Sequence, residues 1–180
     1  MVKTGDTLRQ GDTDTMVFRK TSADTGGEYL EVEATYGPMG DLRPPAHYHP
    51  IQTELFQVLE GTLVFLLDGE EKTLNAGDEL HIPKRVTHAA WNPGDVPARF
   101  VWRTTPAMRT EEMFKTMWNL VEDGKMGRHG NPRPPFLQSM AMMYGFRKEW
   151  RLTAPPYPVY LPLCAALSVP ARLLGYRAIS

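Results

Sequence analysis

The chain has 180 residues and a net charge of −1, with 42% hydrophobic and 23% charged residues. These values are typical of a soluble globular protein and do not indicate a nucleic-acid partner. Cys164 is the single cysteine, which excludes an intramolecular disulfide and favours a reducing compartment. Residues 1–18 are polar and lack the apolar core of a secretory signal, which predicts a cytoplasmic protein.

Charge divides the chain into two unequal parts. Residues 1–105 carry 10 Lys and Arg against 16 Asp and Glu, a net charge of −6. Residues 106–180 carry 10 against 5, a net charge of +5, and hold seven of the ten methionines and nine of the sixteen prolines. We therefore predict two complementary units, able to dock within one chain or between two chains.

Short apolar runs separated by turn residues dominate the first part. The strands predicted from them cover residues 29–36, 54–59, 62–67, 80–83, 88–91 and 98–104. Asp68-Gly69 is a strong hairpin pair, and no helical period is sustained over residues 28–105. Many short strands at close spacing indicate a mainly β sandwich or barrel.

The second part carries helical patterns. Thr110 and the two acidic residues after it predict a helix start, and Gly124 is the predicted stop. A second helix is predicted over residues 136–150, after a Gly-, Pro- and Arg-rich loop over 127–135. Methionine-rich helices suit irregular apolar surfaces, so they could cap the barrel mouth, pack on its outside or contact a second subunit.

The stretch of residues 153–171 holds no charge but includes five prolines. The prolines disfavour a regular membrane-spanning helix. Because Arg172 and Arg177 follow, membrane contact through an interfacial anchor over residues 153–177 is an alternative to packing against protein.

Two ordered motifs lie within the predicted barrel, at residues 40–61 and 77–92. In the first motif, Gly40 is followed after six residues by His47-Tyr48-His49, after four more by Glu54 and after six more by Gly61. In the second motif, Gly77 is followed after five residues by Pro83, after four more by His88 and after three more by Asn92. This order and spacing resemble the cupin family. The resemblance implies a double-stranded β-helix (jelly-roll) barrel over residues 1–105, with a C-terminal α-helical extension over 106–180.

The motifs depart from the family pattern at two positions. The spacer after Gly40 is one residue longer than usual, and Arg85 stands where the second motif has an inner glycine. Neither departure touches a position that the resemblance assigns to a metal ligand.

Three histidines and one glutamate fill the ligand positions of these motifs. His47 and His49 alternate along a strand, so their side chains share a face. The resemblance implies that they bind one metal ion together with Glu54 and His88. Such a donor set suits Fe²⁺, which we favour, and also Mn, Ni, Cu or Zn. One or two coordination positions stay open, as a catalytic metal requires.

Glu54 has two interpretations, as a permanent ligand or as a general base beside the metal. The second follows from the resemblance to quercetinase-like cupins. The remaining histidines lie outside the motifs. His81 alternates with core positions and is predicted to face outward, and His129 lies in the Gly/Pro loop. We expect neither to act directly.

The alternation of the strands also predicts the substrate pocket. If Glu54 faces inward, Phe56 and Val58 do so as well. We expect the last strand to contribute Phe100 and Trp102, and Tyr36 to lie near the barrel mouth. Such a cavity is apolar and aromatic, and of the basic residues only Arg43 lies close to the motif. An aromatic or polyketide-like substrate fits it better than a sugar phosphate.

Three functions follow from these predictions. We favour a metal-dependent dioxygenase acting on an apolar or aromatic organic molecule. The alternatives are a non-oxidative isomerase, cyclase or lyase, and a small-molecule-binding cupin without catalysis. The family resemblance also implies a homodimer.

Overall fold

The computed structural model describes residues 2–130 and 133–178. Within them the chain forms an N-terminal β region and a C-terminal region with three helices. The strands are β1 (Thr7–Gln10), β2 (Asp14–Lys20), β3 (Leu30–Tyr36), β4 (His47–Tyr48), β5 (Thr53–Glu60), β6 (Thr62–Leu67), β7 (Glu70–Asn75), β8 (Glu79–Ile82), β9 (His88–Trp91), β10 (Ala98–Thr105) and β11 (Arg151–Leu152). The helices are α1 (Thr110–Glu122), α2 (Phe136–Gly145) and α3 (Tyr157–Leu173).

The strands form two antiparallel sheets. Six strands follow the order β1-β2-β3-β10-β5-β8, and five follow the order β11-β4-β9-β6-β7. Side chains from both sheets meet in one core, where Phe56 and Phe100 pack with Phe65. Phe56 and Phe65 lie edge to face, with ring centroids 4.8 Å apart. This architecture confirms the predicted mainly β, double-stranded β-helix barrel.

Hairpin β6–β7 shows how turn chemistry sets the register. Asp68 and Gly69 both have positive φ angles, 48° and 98°, as a type I′ turn requires. Leu67 therefore pairs with Glu70, and the ladder continues without a shift to Thr62 and Asn75. The hairpin signal predicted the turn, but β7 itself was not predicted because five of its six residues are exposed.

The N-terminal hairpin β1–β2 was also not predicted. It extends the six-stranded sheet through β3, and Met16 and Phe18 of β2 are completely buried. Apolar residues of α1, among them Phe114 and Trp118, cover these side chains in a second core cluster. The first helix of the extension therefore packs against the barrel within this chain.

The second helix ends earlier than predicted, at Gly145 instead of residue 150. The N–H groups of Glu149 and Trp150 turn back onto the carbonyl of Phe146. The chain then enters β11, which pairs antiparallel with β4. Tertiary pairing with the barrel thus replaces the last helical turn that the periodicity favours.

Helix α3 packs against α2 through Tyr160 and Cys164, which cluster with Met140. Its opposite face leaves large apolar side chains exposed, namely Val159, Leu163, Val169 and Leu173. In the part of the chain that the structure describes, no helix combines the length and hydropathy needed to cross a membrane. Interfacial contact through residues 153–177 and a homodimer both remain predictions.

Candidate metal centre

The four motif residues converge from both sheets. His47 on β4 pairs with His88 on β9, and His49 follows directly after β4. Glu54 comes from β5 of the opposite sheet. The structure therefore brings together the ligand set that the sequence predicted.

Their polar atoms lie close enough to share one ion. Each of the three histidines offers one ring nitrogen, and these nitrogens lie within 4.8 Å of one another. Glu54 Oε2 lies 2.8 Å from His88 Nε2, and Glu54 Oε1 lies 3.3 Å from His49 Nε2. Neighbouring ligand atoms at about 2.1 Å from a common ion and at right angles lie about 3.0 Å apart. The observed spacing fits adjacent positions of one coordination sphere.

Backbone carbonyls fix the orientation of all three imidazoles. Nδ1 of His47 contacts the carbonyl of Pro45 at 3.1 Å, and Nδ1 of His88 contacts that of Val86 at 3.0 Å. Nδ1 of His49 contacts the carbonyl of Glu149 at 2.7 Å. A histidine that donates through Nδ1 presents an unprotonated Nε2, the form that binds a metal.

One indole and two imidazoles face the Glu54 carboxylate. Trp102 Nε1 donates a 2.9 Å hydrogen bond to Glu54 Oε1, and the carboxylate is buried. His88 Nε2 faces Oε2 and His49 Nε2 faces Oε1. Rings that donate through Nδ1 carry no proton on Nε2, so these nitrogens and oxygens are buried acceptors facing one another, and a cation between them would satisfy both. The residues present therefore fit a divalent metal ion.

Electrostatics in the metal-free site favour a charged Glu54. Burial raises the pKa of this carboxyl, but His49 and His88 outweigh burial and hold the pKa well below its usual range. Burial also opposes charging of His49, yet the Glu54 carboxylate raises the pKa of that ring. Burial, followed by the charges of His88 and His49, lowers the pKa of His47 to about 3. The site thus combines negative charge with a neutral imidazole.

A cavity of about 60 Å³ lies on the other side of Trp102. Tyr36 and Trp102 line it from the barrel, and Phe114, Met117 and Trp118 line it from α1. The first helix of the extension therefore supplies part of the wall of this cavity. Burial and the charges of Asp14 and Glu54 raise the pKa of Tyr36, so its hydroxyl stays protonated.

The predicted pocket residues separate into two groups. Tyr36 and Trp102 line the cavity, whereas Phe56, Val58 and Phe100 pack in the core between the sheets. Arg43 points away from the site and is exposed, with its guanidinium 4.4 Å from the centre of the Trp91 ring. The walls of the cavity hold no Lys or Arg among the described residues.

Sequence reasoning missed two contributions of the extension. The Glu149 carbonyl that orients His49 comes from 100 residues further along the chain, and no motif marks a backbone oxygen. His129 lies in the loop as predicted, but it also lines the cavity and contacts Asp14. His81 is exposed, as expected.

Comparison with known proteins agrees with this geometry. Residues 35–103 match the family model described as "Cupin domain". The chain is 40% identical over 87 residues to "Quercetin 2,3-dioxygenase" of Bacillus subtilis (strain 168), covering 47% of this chain and 24% of that protein. It is 34% identical over 88 residues to "Tetracenomycin polyketide synthase protein TcmJ" of Streptomyces glaucescens, covering 46% and 59%. The match thus spans less than two thirds of either relative.

Among solved structures, KdgF from Halomonas sp. aligns with 16% identity and a TM-score of 0.49, over 59% of this chain and 92% of that chain. The double-stranded β-helix, the clustered histidines and the matched family model define a cupin domain. This match covers residues 35–103 and confirms the resemblance that the two motifs carry in the sequence.

Proposed function

We propose that this protein is a metal-dependent dioxygenase acting on an aromatic organic substrate. One observation carries the proposal: His47, His49, His88 and Glu54 converge on one site beside an aromatic cavity, with ring nitrogens and carboxylate oxygens facing one another. Similarity to a quercetin dioxygenase supports an oxidative reaction at such a site. A dioxygenase transfers both atoms of O₂ to its organic substrate, so the reaction needs no separate reductant.

A redox-active divalent metal, when bound by the three histidines and Glu54, supplies the electron exchange that a reaction with O₂ needs. The chain's own residues position the substrate. Trp102, Tyr36 and Phe114 line the neighbouring cavity, which at about 60 Å³ would have to widen to admit an aromatic ring.

Glu54 is the residue proposed to accept the substrate proton. Trp102 donates a hydrogen bond to its Oε1, whereas Oε2 lies 2.8 Å from His88 Nε2. The low pKa of Glu54 keeps the carboxylate ionised but makes it a weak base, so it could accept the proton only from an aromatic hydroxyl that a bound metal has made more acidic.

The test combines metal content with oxygen uptake. The purified protein is stripped with EDTA and reloaded anaerobically with Fe²⁺, Mn²⁺, Ni²⁺, Cu²⁺ or Zn²⁺, one metal at a time. We expect about one metal ion per chain, and O₂ uptake with polyhydroxylated aromatic substrates for at least one redox-active metal. Labelled ¹⁸O₂ should place two heavy atoms in the product.

His88→Ala should lose both metal and O₂ uptake, because it removes one of three imidazoles. The matched control is His81→Ala, which removes an exposed imidazole from β8 and should change neither measurement. Absence of O₂ uptake with every metal would rule out the dioxygenase, even if metal still binds.

A non-oxidative cyclase or isomerase is the second candidate. Similarity to a protein named as part of a tetracenomycin polyketide synthase supports it. In this case the metal would act as a Lewis acid, and Zn²⁺ would replace a redox-active ion without loss of activity. Substrate conversion under anaerobic conditions with the Zn²⁺-loaded protein would favour this candidate over the dioxygenase.

A further inference from the structure

Helix α3 carries an apolar outer face, formed by Val159, Leu163, Val169 and Leu173. Among the described residues, six of the eight exposed large hydrophobic side chains lie on α3, directly after it or at the start of α2. The helix also holds no charged residue before Arg172. A helix that is apolar on all sides is normally buried, and exposed hydrophobic side chains are normally scattered singly. Their concentration here indicates a surface that something covers.

Two prolines on the exposed side of α3 interrupt its hydrogen bonds. Pro162 and Pro170 lie inside the helix, and proline has no N–H. The carbonyls four residues earlier, those of Pro158 and Ala166, therefore lose the donor that a continuous helix gives them. Both residues are exposed, so water can reach these carbonyls. The headgroup layer of a bilayer keeps that water, whereas a dry protein interface or the hydrocarbon interior would remove it.

Positive charge accompanies the outer face. Residues 150–180 hold three arginines and no acidic residue. Arg172 and Arg177 are exposed at the C-terminal end of α3, and Gln138 of α2 donates a 2.7 Å hydrogen bond to the carbonyl of Arg177. A second copy docked through the same face would offer these arginines no acidic partner, because the face holds none. A layer of anionic headgroups would complement them.

We propose that the outer face of α3 docks on the surface of a bilayer that contains anionic lipids. Leu163, Val169 and Leu173 enter the boundary between headgroups and acyl chains, while Arg172 and Arg177 contact lipid phosphates. At 1.5 Å per residue, the 17 residues of the helix give a length of about 25 Å, which lies along the surface. This docking goes beyond the proposed function and needs neither metal nor turnover.

Co-sedimentation of the full chain with large unilamellar vesicles tests the docking. One set of vesicles is phosphatidylcholine alone, and the other contains about 30% phosphatidylglycerol. We expect binding to the anionic vesicles to be about tenfold tighter, because two exposed arginines lie beside the inserted face. Raising NaCl from about 0.05 M to about 0.5 M should weaken this binding, since salt screens exposed charges.

Leu163→Ser/Val169→Ser should weaken binding to the anionic vesicles about tenfold, because two apolar side chains leave the inserted face. The matched control is Ile51→Ser/Val96→Ser, which makes the same kind of change outside the extension. Its side chains are 49% and 64% exposed, against 48% and 61% for the first pair. The control should bind vesicles like wild type.

Arg172→Gln/Arg177→Gln tests the charge separately. This variant should bind neutral vesicles like wild type and lose most of the preference for anionic ones. Circular dichroism checks that each variant is folded. If the serine pair does not fold, the glutamine pair still tests the docking, because both arginine side chains are exposed.

Absence of wild-type binding to anionic vesicles would overturn the docking, as would equal binding to neutral and anionic vesicles. Unchanged binding by folded Leu163→Ser/Val169→Ser would overturn it as well. Analytical ultracentrifugation provides one more outcome. A wild-type dimer that ignores vesicles and becomes monomeric in Leu163→Ser/Val169→Ser would assign the outer face to a second copy and reject the bilayer.

Discussion

Arg85 adopts a backbone conformation that glycine accepts at lower cost. Its φ is 70°, and its N–H donates a 2.8 Å hydrogen bond to the carbonyl of His49. The second cupin motif usually has glycine at this position, and the structure gives the reason: the turn before β9 needs a left-handed residue. Arginine in place of the family's glycine therefore costs conformational free energy at this turn, although it leaves the four motif residues at the site in place.

Arg85→Gly should stabilise the protein by about 0.5–1 kcal/mol, because relief of left-handed strain exceeds the added flexibility of the unfolded chain. Urea unfolding monitored by circular dichroism measures the change. Lys84→Gly is the matched control: Lys84 is exposed and has no positive φ, so the same substitution should destabilise. Equal effects of the two variants would contradict the strain argument.

Trp102→Phe should weaken the metal site without disrupting the barrel. The variant keeps an aromatic ring beside Phe56 and Phe114, whose centroids lie 5.2 and 4.7 Å away. It removes the donor to Glu54 Oε1, a hydrogen bond to a charged group worth about 1.5–3 kcal/mol. We expect metal affinity to fall at least tenfold by competition with a fluorescent chelator. An unchanged affinity would show that the indole does not position Glu54.

The two motifs were sufficient to predict that His47, His49, Glu54 and His88 lie together, and alternation along the strand explains why His47 and His49 share a face. They were not sufficient to predict the groups that orient these ligands. The carbonyls of Pro45, Val86 and Glu149 are backbone atoms, and any residue type supplies one. The Trp102–Glu54 bond depends on the register between β10 and β5, which sequence alone does not determine.

At the scale of elements, the loop after α1 fastens the extension to the barrel through Asp14 of β2. Arg128 and His129 contact the Asp14 carboxylate, and the Gly37 N–H satisfies it from the end of β3. Burial raises the pKa of Asp14, but these hydrogen bonds outweigh burial and lower the pKa below its ordinary value of 3.8. The Arg128–Asp14 ion pair thus joins the basic extension to the acidic barrel.

The lowered pKa of Asp14 predicts acid sensitivity. A carboxyl with a depressed folded pKa contributes stability above its unfolded pKa, near 3.8, and loses it as the pH falls through the folded value. Asp14→Asn should therefore be less stable than wild type by about 1–3 kcal/mol at pH 6, and this difference should shrink below pH 3.8. Urea unfolding of both proteins from pH 6 to pH 2.5 measures it. A constant difference would show that the charge contributes nothing.

Strands with alternating apolar residues were predicted within one or two residues, as β3, β6, β9 and β10 show. Elements that depend on contacts with distant parts of the chain were not predicted. β11 has two residues and exists because β4 lies beside it, and β7 is an exposed strand fixed by its hairpin. Helix α2 ends at Gly145 because the chain must then reach β4, with which it pairs as β11.

At the scale of the whole molecule, metal binding should couple to global stability. The ligands come from both sheets, so an ion at the site links β4 and β9 to β5. Free metal at 100 times Kd stabilises a folded chain by about 2.7 kcal/mol. For a protein of this size that raises Tm by about 5–10 °C. Differential scanning fluorimetry with and without metal measures the shift.

His47→Ala should abolish this shift in Tm, and excess EDTA should reverse it in wild type. The control is His129→Phe, which leaves the three motif histidines intact and should show the full shift. A shift of equal size in His47→Ala would place the bound metal elsewhere on the chain.

The carbonyl of Glu149 orients His49, so the candidate metal centre is complete only after the C-terminal extension has been synthesised. His47, His49, Glu54 and His88 all emerge from the ribosome well before Glu149. Until then His49 lacks the partner that fixes its tautomer, and β4 lacks its neighbour β11. A nascent barrel would thus present a looser and less discriminating site to cellular metals. If the proposed metal site is correct, we expect its selectivity among ions to require the full chain with the extension docked.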